Sequence, residues 1–145
     1  VVLQDVRGRA ASQGEHMPFI NEYADGADTI AWAAKQPWCN GRIGAYGISY
    51  HGFTTWAMAG AGDLALQAIA PTQGPCDHFD MFWRGGAFEL GMHLFWTMRQ
   101  MGPAELVRRR PDIAPAERRA KLERLVESID DFDGMARSLP LRRFA

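Results

Sequence analysis

The residues of this sequence that could most clearly do chemistry form one short segment, Gly47-Ile48-Ser49-Tyr50-His51-Gly52. The serine follows a predicted strand and precedes a predicted helix. A nucleophilic serine needs such a tight turn, because the turn exposes its oxygen and small neighbours let the strand and helix backbones approach. The backbone N–H of Tyr50 would then face the oxyanion that forms when Ser49 attacks an acyl carbon.

The spacing of this segment leaves an alternative open. Its second glycine, Gly52, stands three residues after Ser49, whereas the common G-x-S-x-G pattern has it two residues after. Taken alone, the segment also fits an ordinary turn between a strand and a helix. His51 is not expected to be the base, because residues two apart on a helix point in different directions. The other histidines lie in predicted loops or in the later helical region and are not expected to be catalytic: His16, His78 and His93.

Two further sets of residues have simpler interpretations than a site. Glu89 and His93 are four residues apart and could share a helix face, but no third ligand is near, so no metal site is predicted. Cys39 and Cys76 belong to no CxxC pair and are predicted to be free thiols. We expect neither a metal nor a cofactor.

Two charged features are also interpreted structurally. Asp5 and Arg7 are predicted to form an ion pair that sets the loop after the first strand. The run Arg108-Arg109-Arg110 is short, is flanked by prolines and acids and contains no interleaved aromatic residue. It is therefore predicted to be a solvated surface rather than a nucleic-acid site.

The elements that would position Ser49 follow from the hydrophobic pattern. Apolar runs predict three short strands, and apolar residues at helical spacing predict two intervening helices, the first capped by Asn21 and stopped by Pro37. Such an alternation predicts a parallel sheet with helices on its faces, the α/β class. The predicted order is strand Val1–Gln4, helix Glu22–Gln36, strand Arg42–Tyr46, helix Phe53–Gly62 and strand Leu66–Ala70.

Strand signals stop after Pro71, and the remainder is predicted to be helical. The segment Gly85–Met101 is apolar on nearly all sides, and Ala116–Ile129 has an apolar stripe with charges on its other face.

Composition bounds the class of protein. The chain has 145 residues, of which 47% are hydrophobic and 23% charged, and these values exclude a disordered or collagen-like chain. A net charge of −1 excludes a globally basic nucleic-acid binder. No run reaches the roughly 18 apolar residues of a membrane span. The chain opens on Val1-Val2-Leu3 without a methionine, so its true N-terminus is predicted to lie upstream.

Several separate segments together resemble one family. They are Val2 to Arg9, Ser12 to Glu15, Asp25 to Trp32, Gln36 to Trp38, Gly41 to Gly44 leading into Gly47 to Gly52, Leu66 to Pro71, and Gly86 to Phe88. In this order they resemble the Xaa-Pro dipeptidyl-peptidase-like and cocaine esterase-type serine hydrolases. The form G-x-S-Y-x-G is this family's own variant, which accounts for the position of Gly52.

The resemblance implies a partial α/β-hydrolase fold running into a helical cap. Residues 1–75 would be the hydrolase core segment and 76–145 the start of the cap. Ser49 would be the nucleophile and the Tyr50 backbone N–H an oxyanion donor. The triad's Asp and His, and a second oxyanion donor, would lie outside this chain, which alone is expected to be inactive and poorly soluble.

The resemblance also implies a substrate class. Trp83 would line the acyl pocket, although a core tryptophan is an equal alternative, and Asp80 or Asp77 would bind an ammonium group, with imperfect spacing. The substrate would be a small-molecule ester, an amide or a peptide, with neither nucleic acid nor membrane as partner. A homo-oligomer is possible, and the compartment stays open with the cytoplasm slightly favoured. The alternative is a catalytically incomplete α/β-hydrolase-like protein that binds or has degenerated.

Overall fold

Two parallel strands and two helices make up the part of the molecule that contains Ser49. The computed structural model describes residues 1–108 and 111–138, and the chain divides into two units, Val1–Asp80 and Met81–Ala145. Most of the arginine run at 108–110 lies outside the described residues, so its interpretation stays a prediction. None of the described helices is both long enough and apolar enough to cross a membrane.

The sheet of the first unit confirms the predicted α/β class. Strands β1 (Ile43–Ile48) and β2 (Leu66–Thr72) pair in parallel. They are joined by helix α2 (Tyr50–Gly60), which makes the predicted strand–helix–strand crossover. Phe53 of α2 is completely buried, with the ring of Phe19 5.2 Å from its own, and burial of such a side chain contributes roughly 1.5–3 kcal/mol.

Helix α1 (Glu22–Ala34) packs against α2 through a stripe of small and apolar residues that includes Gly26 and Ile30. It ends before the predicted Gln36, because the N–H groups of Lys35 and Gln36 turn back to carbonyls three residues earlier. The predicted Asn21 cap is wrong. Asn21 has helical φ and ψ of −83° and −17°, whereas a capping side chain needs a non-helical backbone to reach the first amides.

The predicted first strand, Val1–Gln4, is also wrong. Residues 1–6 form no ladder with any of the strands that the structure describes. A strand needs backbone partners on a neighbouring strand, and this segment instead lies beside α1, where Thr29 Oγ1 donates to Gln4 Oε1 at 2.9 Å. Its apolar side chains, including Val1 and Leu3, are largely exposed.

Strand β2 runs further than predicted. It continues through Pro71 to Thr72, with Pro71 opposite Gly47 and Thr72 opposite Ile48. Proline has no N–H to give to a ladder, so it is tolerated in a strand that is paired on one side, as β2 is within the described residues. The extension matters because it brings the carboxyl end of β2 beside Ser49.

The second unit contains a small hairpin that the sequence analysis missed. Strands β3 (Trp83–Arg84) and β4 (Ala87–Phe88) pair in antiparallel fashion. They are joined by Gly85 and Gly86, whose φ values are 57° and 85°. Two successive residues with positive φ are typical of the tight turn of a hairpin, and a Gly-Gly pair is its sequence signal.

The remaining elements are helical, as predicted. Helix α3 (His78–Phe82) contains the boundary between the units, and it is followed by α4 (Leu90–Trp96), α5 (Gly102–Arg108), α6 (Pro115–Asp130) and α7 (Phe132–Arg137). A π-helical turn, Thr97–Met101, separates α4 from α5, and the Gly102 N–H donates to Thr97 O. Pro103 accounts for this turn, since proline cannot donate and displaces the regular helix ladder before it.

Candidate active site

Ser49 occupies the turn between β1 and α2 in a strained conformation. Its φ and ψ are 57° and −122°, the values of the first central residue of a type II′ turn, a position normally held by glycine. The side chain is exposed, and it makes no capping hydrogen bond to α2. The hydroxyl is therefore presented to solvent by a backbone that costs about 1–3 kcal/mol to hold.

Three glycines make this turn sterically feasible. A Cβ on Gly47 would lie 2.5 Å from the carbonyl carbon and oxygen of His51, and one on Gly52 would lie 2.8 Å from Thr72 O. Gly52 therefore faces the end of β2, which is the physical reason for a glycine three residues after Ser49. Gly74 was missed by the sequence analysis, and a Cβ there would lie 2.5 Å from Phe53 N. The one sequence feature that could have indicated Gly74 is its position just after β2, where the chain passes close to the start of α2.

Backbone hydrogen bonds fix Ser49 on both sides. Its N–H donates to Thr72 O of β2 at 2.9 Å, and its own carbonyl accepts from the Phe53 N–H at 3.0 Å. The first bond ties the turn to the sheet and the second ties it to the first turn of α2. The turn is thus a rigid part of the sheet–helix junction, as a pre-positioned nucleophile requires.

The side chain of Tyr50 is anchored by residues outside the sheet. Its hydroxyl donates to Glu22 Oε1 and accepts from the Phe19 N–H at 3.1 Å. Its ring packs against Phe19 and Phe53, with centroid distances of 5.1 and 5.8 Å. Burial, and then the hydrogen bond to Glu22, raise the pKa of this phenol well above its ordinary value of 10.0, so it stays protonated.

Three of the four histidines lie in different parts of the chain and differ in burial. His51 is exposed on α2, and His16 is buried, with its ring 6.2 Å from that of Tyr50. His93 lies in the second unit, where its Nδ1 is 2.7 Å from the Glu89 carbonyl oxygen and the Glu89 carboxylate binds Arg84 at 3.0 Å.

His78 is the histidine with the most distinctive surroundings. Its ring lies between those of Phe19 and Phe53, with centroid distances of 4.4 and 4.3 Å. Its Nε2 is buried and has no hydrogen-bond partner in the part of the chain that the structure describes. Burial lowers the pKa of His78 below its ordinary value of 6.5, and the negative charges of Asp77 and Glu22 oppose this only partly. The folded protein therefore favours the neutral ring.

We expect His78 to make the folded state sensitive to acid. A lowered pKa means that the unfolded state takes up a proton at higher pH than the folded state does, so the free energy of unfolding falls as the pH drops through 6.5 and is unaffected well above it. Urea unfolding at about pH 7.5 and about pH 5.5 tests this, and His78→Phe should lose less stability between the two than the parent protein. His51→Gln, at an exposed histidine, is the control, and equal losses in all three proteins would contradict the assignment.

The predicted ion pair between Asp5 and Arg7 is wrong, because Arg7 has a different acidic partner. Arg7 instead pairs with Asp25 of α1, with Nε 3.0 Å from Oδ2, and this hydrogen bond raises the pKa of Arg7. The Asp5 backbone oxygen accepts from Ser12 Oγ at 2.7 Å. Asp25 lies in the first turn of α1, 18 residues after Arg7. The local sequence pattern could not reveal a pairing over that separation. An open cleft of about 550 Å³ adjoins the pair and does not include Ser49.

The predicted substrate-binding residues lie in different parts of the chain. Trp83 is in β3 of the second unit, where it is 42% exposed and its ring is 5.2 Å from that of Phe88. Asp80 is exposed on α3, and Asp77 accepts the Phe79 N–H at 2.7 Å. Their roles, like the oxyanion role of the Tyr50 N–H, stay predictions.

Comparison with known proteins gives a consistent result. Residues 1–139 match the X-Pro dipeptidyl-peptidase (S15) family. The chain is 37% identical over 143 residues to cocaine esterase of Rhodococcus sp. strain MB1 Bresler, which covers 97% of this chain and 24% of that protein. It is 35% identical over 96 residues to candidate serine esterases of Mycobacterium bovis and Mycobacterium tuberculosis, covering 63% of this chain and 14% of each. The chain thus spans a quarter or less of the length of these relatives.

Proposed function

The chain belongs to the X-Pro dipeptidyl-peptidase (S15) family of hydrolases, and from this premise we propose that Ser49 is the nucleophile of a serine hydrolase that cleaves ester or amide bonds. The observation that carries the proposal is the backbone of Ser49, with φ 57° and ψ −122° at the junction of β1 and α2. A residue other than glycine keeps such a conformation only where its surroundings impose it, and strain of this kind clusters at active sites.

In the proposed reaction, Ser49 Oγ attacks the carbonyl carbon and its proton passes to a histidine base. The Tyr50 N–H donates to the oxyanion of the tetrahedral intermediate. Collapse of the intermediate breaks the bond to the alcohol or amine, which leaves with the proton from the imidazolium, and water then releases the acid from the acyl-enzyme. The histidine, its aspartate partner and the second oxyanion donor are proposed to lie outside this chain, which spans 24% of the length of cocaine esterase.

The relatives' names indicate two substrate classes that share this carbonyl chemistry, an ester and a peptide. We propose that the substrate is a small-molecule ester, an amide or a peptide. Residues 1–75 would form the hydrolase core segment and residues 76–145 the start of a cap, in which Trp83 lines the acyl pocket. Asp80 would bind the ammonium group of an amino-acid substrate.

A fluorophosphonate probe tests the identity of the nucleophile. The complete protein that carries this chain should be labelled, and peptide mass spectrometry should place the label on Ser49, because such probes react with a serine activated by its own base. Ser128→Ala is the matched control, since Ser128 Oγ merely donates to Arg124 O within α6. Folded protein with an unmodified Ser49 would reject the proposal and favour the catalytically incomplete alternative.

A further inference from the structure

A side-chain link joins the starts of two helices beside the segment at residues 47–52, here called the nucleophile turn. Glu22 is the first residue of α1 and Tyr50 is the first residue of α2. The phenol of Tyr50 donates to Glu22 Oε1 across 28 residues of sequence. Glu22 is only 5% exposed. The first turn of α2 is therefore held by a carboxylate that belongs to another element.

The link acts on the residue that follows the strained serine. Ser49 needs restraint on both sides to keep its positive φ. On its amino side, β2 supplies that restraint through Thr72 O, 2.9 Å from the Ser49 N. On its carboxyl side lies Tyr50, whose backbone and side chain share one Cα. Fixing the phenol thus limits how far the Tyr50 peptide can rotate.

The buried hydrogen bond between Glu22 and Tyr50 has a cost to the stability of the folded state. Glu22 Oε2 is buried without a hydrogen-bond partner among the described residues. A polar atom that is buried without a hydrogen bond destabilises the folded state, and more strongly when it is charged. Replacing both members of such a pair by apolar groups of similar shape is often neutral or stabilising. Apolar packing would connect α1 and α2 without this cost, and the rings of Phe19 and Phe53 already pack against Tyr50.

We propose that Glu22 is a positioning residue for the oxyanion donor, holding Tyr50 so that its backbone N–H faces the developing oxyanion. This inference rests on the proposed function of Ser49 and extends it. Glu22 itself touches no reacting atom. Its effect passes through the phenol and the first turn of α2, and pre-organised donors of this kind act mainly on the transition state.

Four variants of the complete protein test the proposal by hydrolysis of an aryl acetate ester. Glu22→Ala should lower kcat about 10- to 100-fold while KM stays within about 2-fold, because a displaced donor weakens transition-state binding more than substrate binding. Glu22→Gln should restore most of kcat, since its amide oxygen accepts from the phenol. Tyr50→Phe, which removes one hydroxyl, should match Glu22→Ala. Asp28→Ala, at an exposed carboxylate on the same helix, should leave kcat unchanged.

The double variant Glu22→Ala/Tyr50→Phe separates positioning from stability. It should be more stable to urea than Tyr50→Phe, because the buried carboxylate that loses its phenol donor in that single variant is absent, yet its kcat should stay low. Recovery of kcat together with stability, or an unchanged kcat in Glu22→Ala and Tyr50→Phe, would overturn the proposal. Retained turnover in Ser49→Ala would instead reject the proposed nucleophile, so the two failures are distinguishable.

Discussion

Replacement of Ser49 by alanine or glycine is expected to lower kcat of the complete protein by at least about 10³-fold, because the acyl-enzyme can no longer form. The two variants should differ in stability. At φ 57° and ψ −122° alanine keeps the strain of an L side chain, whereas glycine adopts this conformation freely. Ser49→Gly should therefore unfold with a free energy about 1 kcal/mol higher than Ser49→Ala, measured by urea denaturation.

Ser128 provides the control for this comparison. It lies within α6, where alanine stabilises a helix by about 1 kcal/mol relative to glycine. The order of the alanine and glycine variants should thus be reversed at Ser128, and kcat should not change. If Ser49→Ala were as stable as Ser49→Gly, the serine would not be strained, and the observation that carries the proposed function would be lost.

Substitution of Gly47 by alanine is expected to remove both stability and activity. The new Cβ would lie 2.5 Å from the carbonyl carbon and oxygen of His51, and these backbone atoms can move only if the start of α2 moves with them. We expect a loss of about 3 kcal/mol in the free energy of unfolding. Any folded protein should also show a kcat at least about 10²-fold lower, because Ser49 and the Tyr50 N–H would be displaced.

Gly44→Ala is the matched control on the same strand. Within the described residues, the one atom closer than 4 Å to its Cβ would be Ala68 O, at 3.8 Å, which is an ordinary van der Waals distance. The variant should be as active as the parent protein and equal or up to about 1 kcal/mol more stable, because alanine restricts the unfolded chain. Equal behaviour of the Gly44 and Gly47 variants in urea and in turnover would show that the close approach of β1 and α2 is not required.

The local sequence was sufficient to predict the element that carries Ser49. Apolar runs and helical spacing correctly indicated β1, α2, β2 and α1, because each is coded by neighbours within one segment. The same reasoning failed for Val1–Gln4, since an apolar run becomes a strand only beside a partner. It also ended β2 too early at Pro71, because the tolerance for proline depends on which edge of the strand is paired.

The partners around the turn could not be predicted from spacing. Position 74 requires glycine because the backbones of Gly52 and Phe53 lie against it. These backbones come close only when α2 packs beside the end of β2. Glu22 looked like one acid in the first turn of a helix, a place that the helix dipole favours. Its contact with Tyr50 is a tertiary contact between residues far apart in the sequence, and so is the pairing of Arg7 with Asp25.

The groups that hold the nucleophile turn have a consequence for synthesis on the ribosome. The contacts of Ser49 and Tyr50 described above come from residues between His16 and Gly74, so none of these contacts belongs to the second unit. Proteins emerge amino end first and their early segments begin to fold during translation. The nascent chain therefore has all of these contact groups once residue 74 has emerged, and the turn can begin to assemble before the second unit is complete.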